Sequence, residues 1–335
     1  MTTPTMTAGS AERGRSNESL AIFVRRNAWT LGLLAFLAVL LLFTKLIQPN
    51  YGVAGIQGLA ISVLPLALAA AAQAVVIIAG GIDLSIGSMM ALTSVISATL
   101  MQGQSEEFAI LVVVGVLLLG VVLGAVNGAL VVLTRVPDIV VTLAMLFVWA
   151  GAALLVRPSP GGGAAEWLSD LVIGSIGSPW LPKAAIVLVV VVAVIWIPIS
   201  RSRLGLSIYA VGSNPLAAFR SGVSVERTKF LAYALTGLFS ALAGLSLTAS
   251  TGIGTPVPGP YTLLSVAAVV LGGVSLAGGR GGLFGAVVGV VILQLVRTDM
   301  TFLNVNSNLA VVVQGVILIG VVMVGSLIQM RRERA

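Results

Sequence analysis

Neither cysteine nor histidine occurs anywhere in the 335 residues. Without thiols the chain forms no disulfide, ligates no iron–sulfur cluster and offers no thiol nucleophile. Without imidazole it lacks the commonest general base and the commonest zinc ligand. No G-x-x-x-x-G-K-[ST] segment is present, so ATP hydrolysis by the phosphate-loop route is excluded. Charge is the next shortage: Asp, Glu, Lys and Arg make up 9% of the chain, where a soluble domain carries roughly 25%. Apolar residues fill 58%, with 39 glycines besides, well above the roughly 45–50% of a soluble domain. So few charges cannot cover a soluble protein of this size, and the bilayer is the solvent. The net charge of +7 then reads as cations placed on the cytoplasmic side of a membrane, not as a nucleic-acid surface.

A helix needs roughly 20 apolar residues to cross the hydrocarbon core. The runs at 28–47, 56–79, 84–101, 108–133, 138–156, 183–200, 229–250, 261–278, 283–298 and 308–328 meet or approach that length. The expected fold is therefore all-α, a polytopic membrane protein of about ten transmembrane helices, with eight as the lower bound. The pairs 56–79/84–101 and 261–278/283–298 are separated only by short Gly-rich segments, so each is two crossings or one broken, partly re-entrant element. With the N-terminus in the cytoplasm, only Lys45, Arg157, Lys183 and Arg297 of the 18 Lys and Arg fall outside. Inverting the chain would reverse that bias, so both termini are expected inside.

The domain plan follows. Residues 1–27 are polar and Ser/Thr-rich and read as a disordered cytoplasmic tail rather than a cleavable signal. Residues 28–330 form one transmembrane domain, and 331–335 a basic cytoplasmic tail. Two loops are long: an external one at 157–182, and a basic internal one at 201–228.

Between two apolar runs stands Gly80-Gly81-Ile82-Asp83-Leu84-Ser85-Ile86-Gly87-Ser88. The glycines weaken the helix, and Asp83 or Ser85 can cap the next one. A carboxylate at membrane depth costs roughly 2.5–3.5 kcal/mol on insertion scales, a cost reduced where it faces other helices or water. Asp83 is thus either a functional group or a capped turn near the inner surface. A second segment, Gly272-Gly273-Val274-Ser275-Leu276-Ala277-Gly278-Gly279-Arg280, fits the same GG[IV]-x-L-x-x-G pattern. Such pairs mark internally repeated transporters with interrupted helices; small residues alone also permit close helix packing.

In the internal loop, Asn214-Pro215 is a helix start and Gly222 a stop. The short helix between them carries Ala217, Ala218 and Arg220, and suits either a docking knob for a cytosolic partner or an amphipathic stretch at the headgroups.

GGIDLSIGS, the loop at 212–222 and AVVLGGVSLAGGRGGLFGAVVG (268–289) together resemble the permease subunits of ribose-type bacterial ABC importers, in order over about residues 55–325. Asn127-Gly128 and Val141–Ala144 match as well. The acidic residue common in the family's cytoplasmic loop is absent, Pro215 and Leu216 standing there, and the family's P-x-F-I-V-T-L-G reads Pro137 to Ala144. These departures bear on which sugar is carried. The resemblance implies a multi-pass permease of the bacterial inner membrane, without catalytic residues, metal or cofactor of its own. ATP and Mg would reside on a separate cytosolic ABC ATPase, which receives 212–222 as a coupling helix. A periplasmic or lipid-anchored sugar-binding protein would deliver a monosaccharide or related polyol, and a second copy or a related permease would complete the pore.

For the path itself, the uncharged polar groups Gln73, Asn127, Thr142, Gln294, Asn304 and Gln314 suit hydroxyl-rich cargo, or else join helices. An ion-driven secondary transporter is the alternative. Proton coupling normally uses Asp, Glu and His relays within the membrane, and here only Asp83, Asp138 and Asp299 stand near span ends. A membrane enzyme lacks any visible nucleophile, base or metal cluster.

Overall fold

The computed structural model describes the backbone of residues 8–306 apart from Pro258, with isolated positions between 309 and 323; side chains are described from Ala28 onward. The expected span 308–328 is described only at those scattered positions. Gln314 and the basic tail 331–335 lie outside the described residues.

The elements run α1 (Ala8–Ile47), α2 (Val53–Ile78), α3 (Ile86–Met101), α4 (Glu106–Thr134), α5 (Asp138–Val156), α6 (Glu166–Asp170) and α7 (Lys183–Val191). A π turn at Val192–Trp196 joins α7 to α8 (Ile197–Arg201). Then come α9 (Arg203–Ser213), α10 (Pro215–Arg220), α11 (Val225–Thr251), α12 (Tyr261–Leu271) and α13 (Leu283–Phe302). Among the described residues there are no strands, only two isolated β-bridges.

Among the described residues, seven helices are long and apolar enough to cross a membrane: α1 from Ala28, α2, α4, α5, the continuous Lys183–Arg201 stretch, α11 and α13. Two of the expected spans are shorter. The run 84–101 is helical only as the 16-residue α3, and 261–278 only as the 11-residue α12. The reason is local: Gly272 and Gly273 end α12, so the apolar residues after Leu271 belong to a turn and not to a span. The polar residues 8–27, expected as a disordered tail, are helical backbone continuous with α1 from Ala8; Ala, Glu and Arg there favour helix and no proline interrupts them.

One helix sits at the centre. In α2, 89% of the apolar window is buried, against 11% for α1 and 22% for α5. A helix apolar on all sides is stable only where neighbours or lipid surround it, and the alanines at 67, 69–72 and 74 let neighbours come close. On one side α11 packs on α2, α3 and α4; on the other α13 packs on α1, α2 and α12.

The α4–α11 crossing is at backbone distance. Gly120, Gly124 and Gly128, one turn apart on α4, face Gly237 and Tyr233 of α11. A Cβ on Gly124 would overlap the Tyr233 carbonyl oxygen, and one on Gly237 would overlap that of Gly120. Small residues supply helix association in lipid, where no hydrophobic force acts between helices. Gly244 brings α11 equally close to Met90 and Thr93 of α3. Further along, the Ser94 and Thr248 hydroxyls lie 2.9 Å apart, both buried.

Candidate functional site

The first helix break follows α2. Gly80 lies at φ 80° and donates to Ile77 O at 2.9 Å, while Gly81 donates to Val76 O at 2.9 Å. This paired closure ends the helix on a left-handed residue, which favours glycine there. Gly81 itself is small for a different reason: a Cβ would stand 2.5 Å from Asp138 Oδ2 and 2.9 Å from the Tyr233 hydroxyl.

Asp83 is fully buried in the break. Its Oδ1 accepts from the Ser85 backbone N–H at 2.8 Å and from Ser85 Oγ at 2.6 Å. Asn127 of α4 donates from Nδ2 to Ser85 Oγ at 2.7 Å and to Asp83 Oδ2 at 3.4 Å. Trp149 of α5 donates to Asn127 Oδ1 at 3.2 Å. A one-way donor chain thus runs from Trp149 through Asn127 and Ser85 to the carboxylate: the desolvated group is bonded by Ser85 and by Asn127 of α4, and Trp149 of α5 holds Asn127 in place. The Ser85 side chain makes no capping bond to α3. The Gly87 N–H is met instead by Thr262 Oγ1 of α12 at 3.0 Å, so another helix provides that cap.

Around the break, Ile82 O accepts from Thr142 Oγ1 at 3.2 Å and from the Tyr233 hydroxyl at 3.4 Å. Lys229 pairs with Asp138 at 3.4 Å on the rim. The carbonyl freed by the interrupted helix is therefore satisfied by α5 and α11.

The second break repeats the geometry with a shift. Gly273, not Gly272, is left-handed, at φ 82°; it donates to Val270 O at 2.9 Å, and Val274 donates to Val269 O at 3.1 Å. In geometry Gly80 corresponds to Gly273, one residue away from the match of the two glycine doublets. Gly272 is small because α13 crosses there, Gly285 and Ala286 occupying the space of a Cβ. Trp29 of α1 covers the turn and donates to Leu271 O at 3.1 Å. Ser275 closes the following loop through its N–H to Arg280 O at 3.1 Å, with Gly278 at φ 84° and Gly279 at φ 68°.

The two breaks meet on a third glycine. The Gly279 N–H donates to Ile78 O at 2.9 Å, linking the second break to the end of α2. Gly212, in the last turn of α9, lies directly on this bond: a Cβ there would overlap Ile78 O and stand 2.6 Å from Gly279 N. A Cβ on Gly278 would stand 2.7 Å from Gly212 O and 3.0 Å from Gly80 Cα. Gly80, Gly212 and Gly278 are in backbone contact although far apart in sequence.

Directly after Gly212 comes α10. Asn214 Oδ1 accepts from the Ala217 N–H at 3.0 Å, and Pro215 takes the first helical position. Gly222, at φ 83°, donates to Phe219 O at 2.9 Å and Val223 to Ala218 O at 3.0 Å, ending the helix. Ala218 is buried, whereas Leu216, Ala217, Phe219 and Arg220 are exposed. A short capped helix thus presents two large apolar side chains and a cation, beginning three residues after the glycine that touches both breaks.

The polar residues suited to cargo are placed variously. Asn127 and Thr142 belong to the first break, and Gln294 donates to Ser62 O at 2.6 Å, joining α13 to α2. Gln73 is fully buried in α2, neither amide atom having a hydrogen-bond partner. Asn304 is exposed, in a left-handed turn after α13 at φ 54°. Among the described residues no group of three or more acidic side chains is placed to hold a metal.

Sequence reading missed Trp149, Tyr233 and Thr262. The first was within reach: Thr142, Met145 and Trp149 recur at helical spacing on the face of α5 that turns inward. Nothing local marks Tyr233 or Thr262, which act on breaks far away in sequence.

The family described as branched-chain amino acid transport system / permease component matches residues 55–322. The ribose import permease protein of Escherichia coli (strain K12) is 35% identical over 263 residues, 77% of this chain and 81% of its own. The galactose/methyl galactoside import permease protein of Salmonella typhimurium (strain LT2) is 33% identical over 274 residues, 77% of this chain and 82% of its own. An autoinducer 2 import system permease protein of Escherichia coli O9:H4 is 29% identical over 324 residues, covering 92% of this chain and 95% of its own. No solved structure matches. The match takes in both glycine breaks, the Asp83 donor chain and α10, and the chain belongs to the branched-chain amino acid transport system / permease component family.

Proposed function

We propose that the chain is the transmembrane subunit of an ATP-driven importer and forms the path for a monosaccharide or related polyol. The relatives named for import of ribose, of galactose and methyl galactoside, and of autoinducer 2 support that class of cargo. Catalysis belongs to a separate cytosolic ATPase holding ATP and Mg. Delivery belongs to a periplasmic or lipid-anchored solute-binding protein, and the pore is completed by a second copy or a related permease. In this reading the chain crosses the bacterial inner membrane ten times, with both termini inside.

The observation that carries the reading is the contact of Gly212 with both helix breaks, next to the exposed side chains of α10. An ATPase that grips Leu216, Phe219 and Arg220 pulls on a rigid capped helix. The adjoining backbone contact passes that displacement to the ends of α2 and of the 272–281 turn together. Movement of two interrupted helices then opens or closes the path, and the permease itself performs no chemistry.

The experiment is reconstitution with the neighbouring ATPase and binding protein in proteoliposomes. Uptake of labelled sugar is expected only with ATP on the ATPase side. Uptake driven by a proton or sodium gradient without the ATPase would overturn the reading in favour of a secondary transporter.

A further inference from the structure

The loop between α6 and α7 carries an apolar surface that the transport reading does not use. From Leu171 to Leu181 the sequence LVIGSIGSPWL contains no charged residue. Only Val172 turns fully inward; Leu171, Ile173, Ile176, Trp180 and Leu181 are exposed, Trp180 by 58% and Ile176 by 52%. Water-exposed loops are normally polar, and an apolar cluster of this kind marks a surface with a partner.

The loop is also built to hold its shape. Ile176 N–H donates to Leu181 O at 3.1 Å, Leu181 N–H to Ser178 O at 2.9 Å and Lys183 N–H to Gly174 O at 3.0 Å, with Ser175 and Pro182 bridged. Gly174 and Gly177, at φ 93° and φ 70°, permit the two tight bends. Lys183 pairs with Asp170 at 2.9 Å across the base, and Gln57 of α2 donates to Pro179 O at 2.9 Å.

We propose that this hairpin, 171–181, is an interfacial anchor that inserts Ile176, Trp180 and Leu181 among the lipids at the mouth of α7. Three observations choose lipid over a protein partner. The hairpin runs without a gap into Lys183–Arg201, a span whose window is only 17% buried, so its apolar face continues a lipid-facing one. Trp180 and Lys183 stand where a span meets water, the level at which amphipathic rings and long cations concentrate. No charge is present within the hairpin to steer or orient a soluble partner. Through the Gln57 bond the anchor fixes the N-terminal end of α2, the central helix, at the end opposite its glycine break. The inference requires only that α7 enters a membrane at Lys183, and stands whether or not an ATPase drives the protein.

The natural absence of cysteine permits single spin labels at Ile176, Trp180, Val189 and Ser221 in the full chain. Val189 is an exposed position within the α7 span and Ser221 an exposed position after α10. Each variant is reconstituted in vesicles of phosphatidylethanolamine and phosphatidylglycerol, and collisions with oxygen and with a polar nickel chelate are measured. Labels at Ile176 and Trp180 are expected to side with Val189, favouring oxygen and shielded from the chelate. Chelate access equal to that at Ser221 would overturn the anchor. So would labels that meet the chelate until solute-binding protein is added and are then immobilised, which would make the hairpin a protein dock. In the unlabelled protein, dibrominated lipid is expected to quench fluorescence that Trp180→Phe removes; equal quenching of both would also count against insertion.

Discussion

Asn127 Nδ2 lies 2.7 Å from Ser85 Oγ and 3.4 Å from Asp83 Oδ2, so one amide on α4 supports both polar groups of the first helix break. Its own oxygen is held by Trp149. Asn127→Leu removes the donor while keeping the volume, leaving Asp83 Oδ2 buried without a partner. The expected loss is about 1–3 kcal/mol, the cost of an unsatisfied buried group, read as a lower unfolding temperature in detergent. Asn127→Asp is expected to do the same by placing a second carboxylate beside the first. That variant should recover more on acidification than Asn127→Leu, because protonation there ends a direct repulsion as well as the desolvation cost that both variants share. Equal pH response of the two variants would refute the assignment.

The α4 glycines separate close packing from mere helix weakness. Gly124→Ala forces a Cβ into the Tyr233 carbonyl and pushes α11 away, so a loss of about 1–3 kcal/mol is expected from overpacking. Gly115 lies on the same helix with nothing within 4 Å of a Cβ. Gly115→Ala should therefore be neutral, or stabilising by up to about 1 kcal/mol through helix propensity. Thermal unfolding of the two variants side by side measures the difference, and similar values would show that the crossing does not depend on Gly124.

Helix breaks, the loop helix and its caps were legible because their signals are local. Asn214, Pro215 and Gly222 act within α10, and the structure has that helix between them. The glycine doublets were legible as breaks but misleading in register, since one pattern hides two uses. Gly80 and Gly273 supply left-handed backbone, whereas Gly81 and Gly272 yield space to Asp138 and Gly285. Capping of α3 by Asp83 or Ser85 was the natural local expectation, yet Thr262, 175 residues on, meets the Gly87 N–H. What sequence periodicity cannot carry is contact across the bundle, and the meeting of Gly80, Gly212 and Gly278 is of that kind.

That meeting gives a prediction about coupling. Gly212→Ala wedges a methyl between Ile78 O and Gly279 N, breaking the backbone bond that links the two breaks. Sugar transported per ATP hydrolysed is expected to fall about tenfold, within the range of ordinary coupling energies. The ATPase should still co-purify, because Leu216, Phe219 and Arg220 are untouched. Phe219→Asp is the complement: it should release the ATPase from the exposed face of α10 and leave the permease folded in the membrane. An unchanged transport-to-hydrolysis ratio in Gly212→Ala would remove the joint from the mechanism.

Orientation is open to direct test, since any cysteine introduced is the sole thiol in the chain. Ser221 and Ser159 are both exposed, the first after α10 and the second in the loop after α5, outside the 171–181 hairpin. They are separated by the Lys183–Arg201 span, a single crossing. In intact cells a membrane-impermeant maleimide should label Ser159→Cys and spare Ser221→Cys. Permeabilising the inner membrane should expose the second. The asymmetry of Lys and Arg requires that order, because placing the 201–229 cations outside would oppose the bias toward cytoplasmic positive charge. Labelling of Ser221→Cys in intact cells would invert the topology and remove α10 from reach of any cytosolic ATPase.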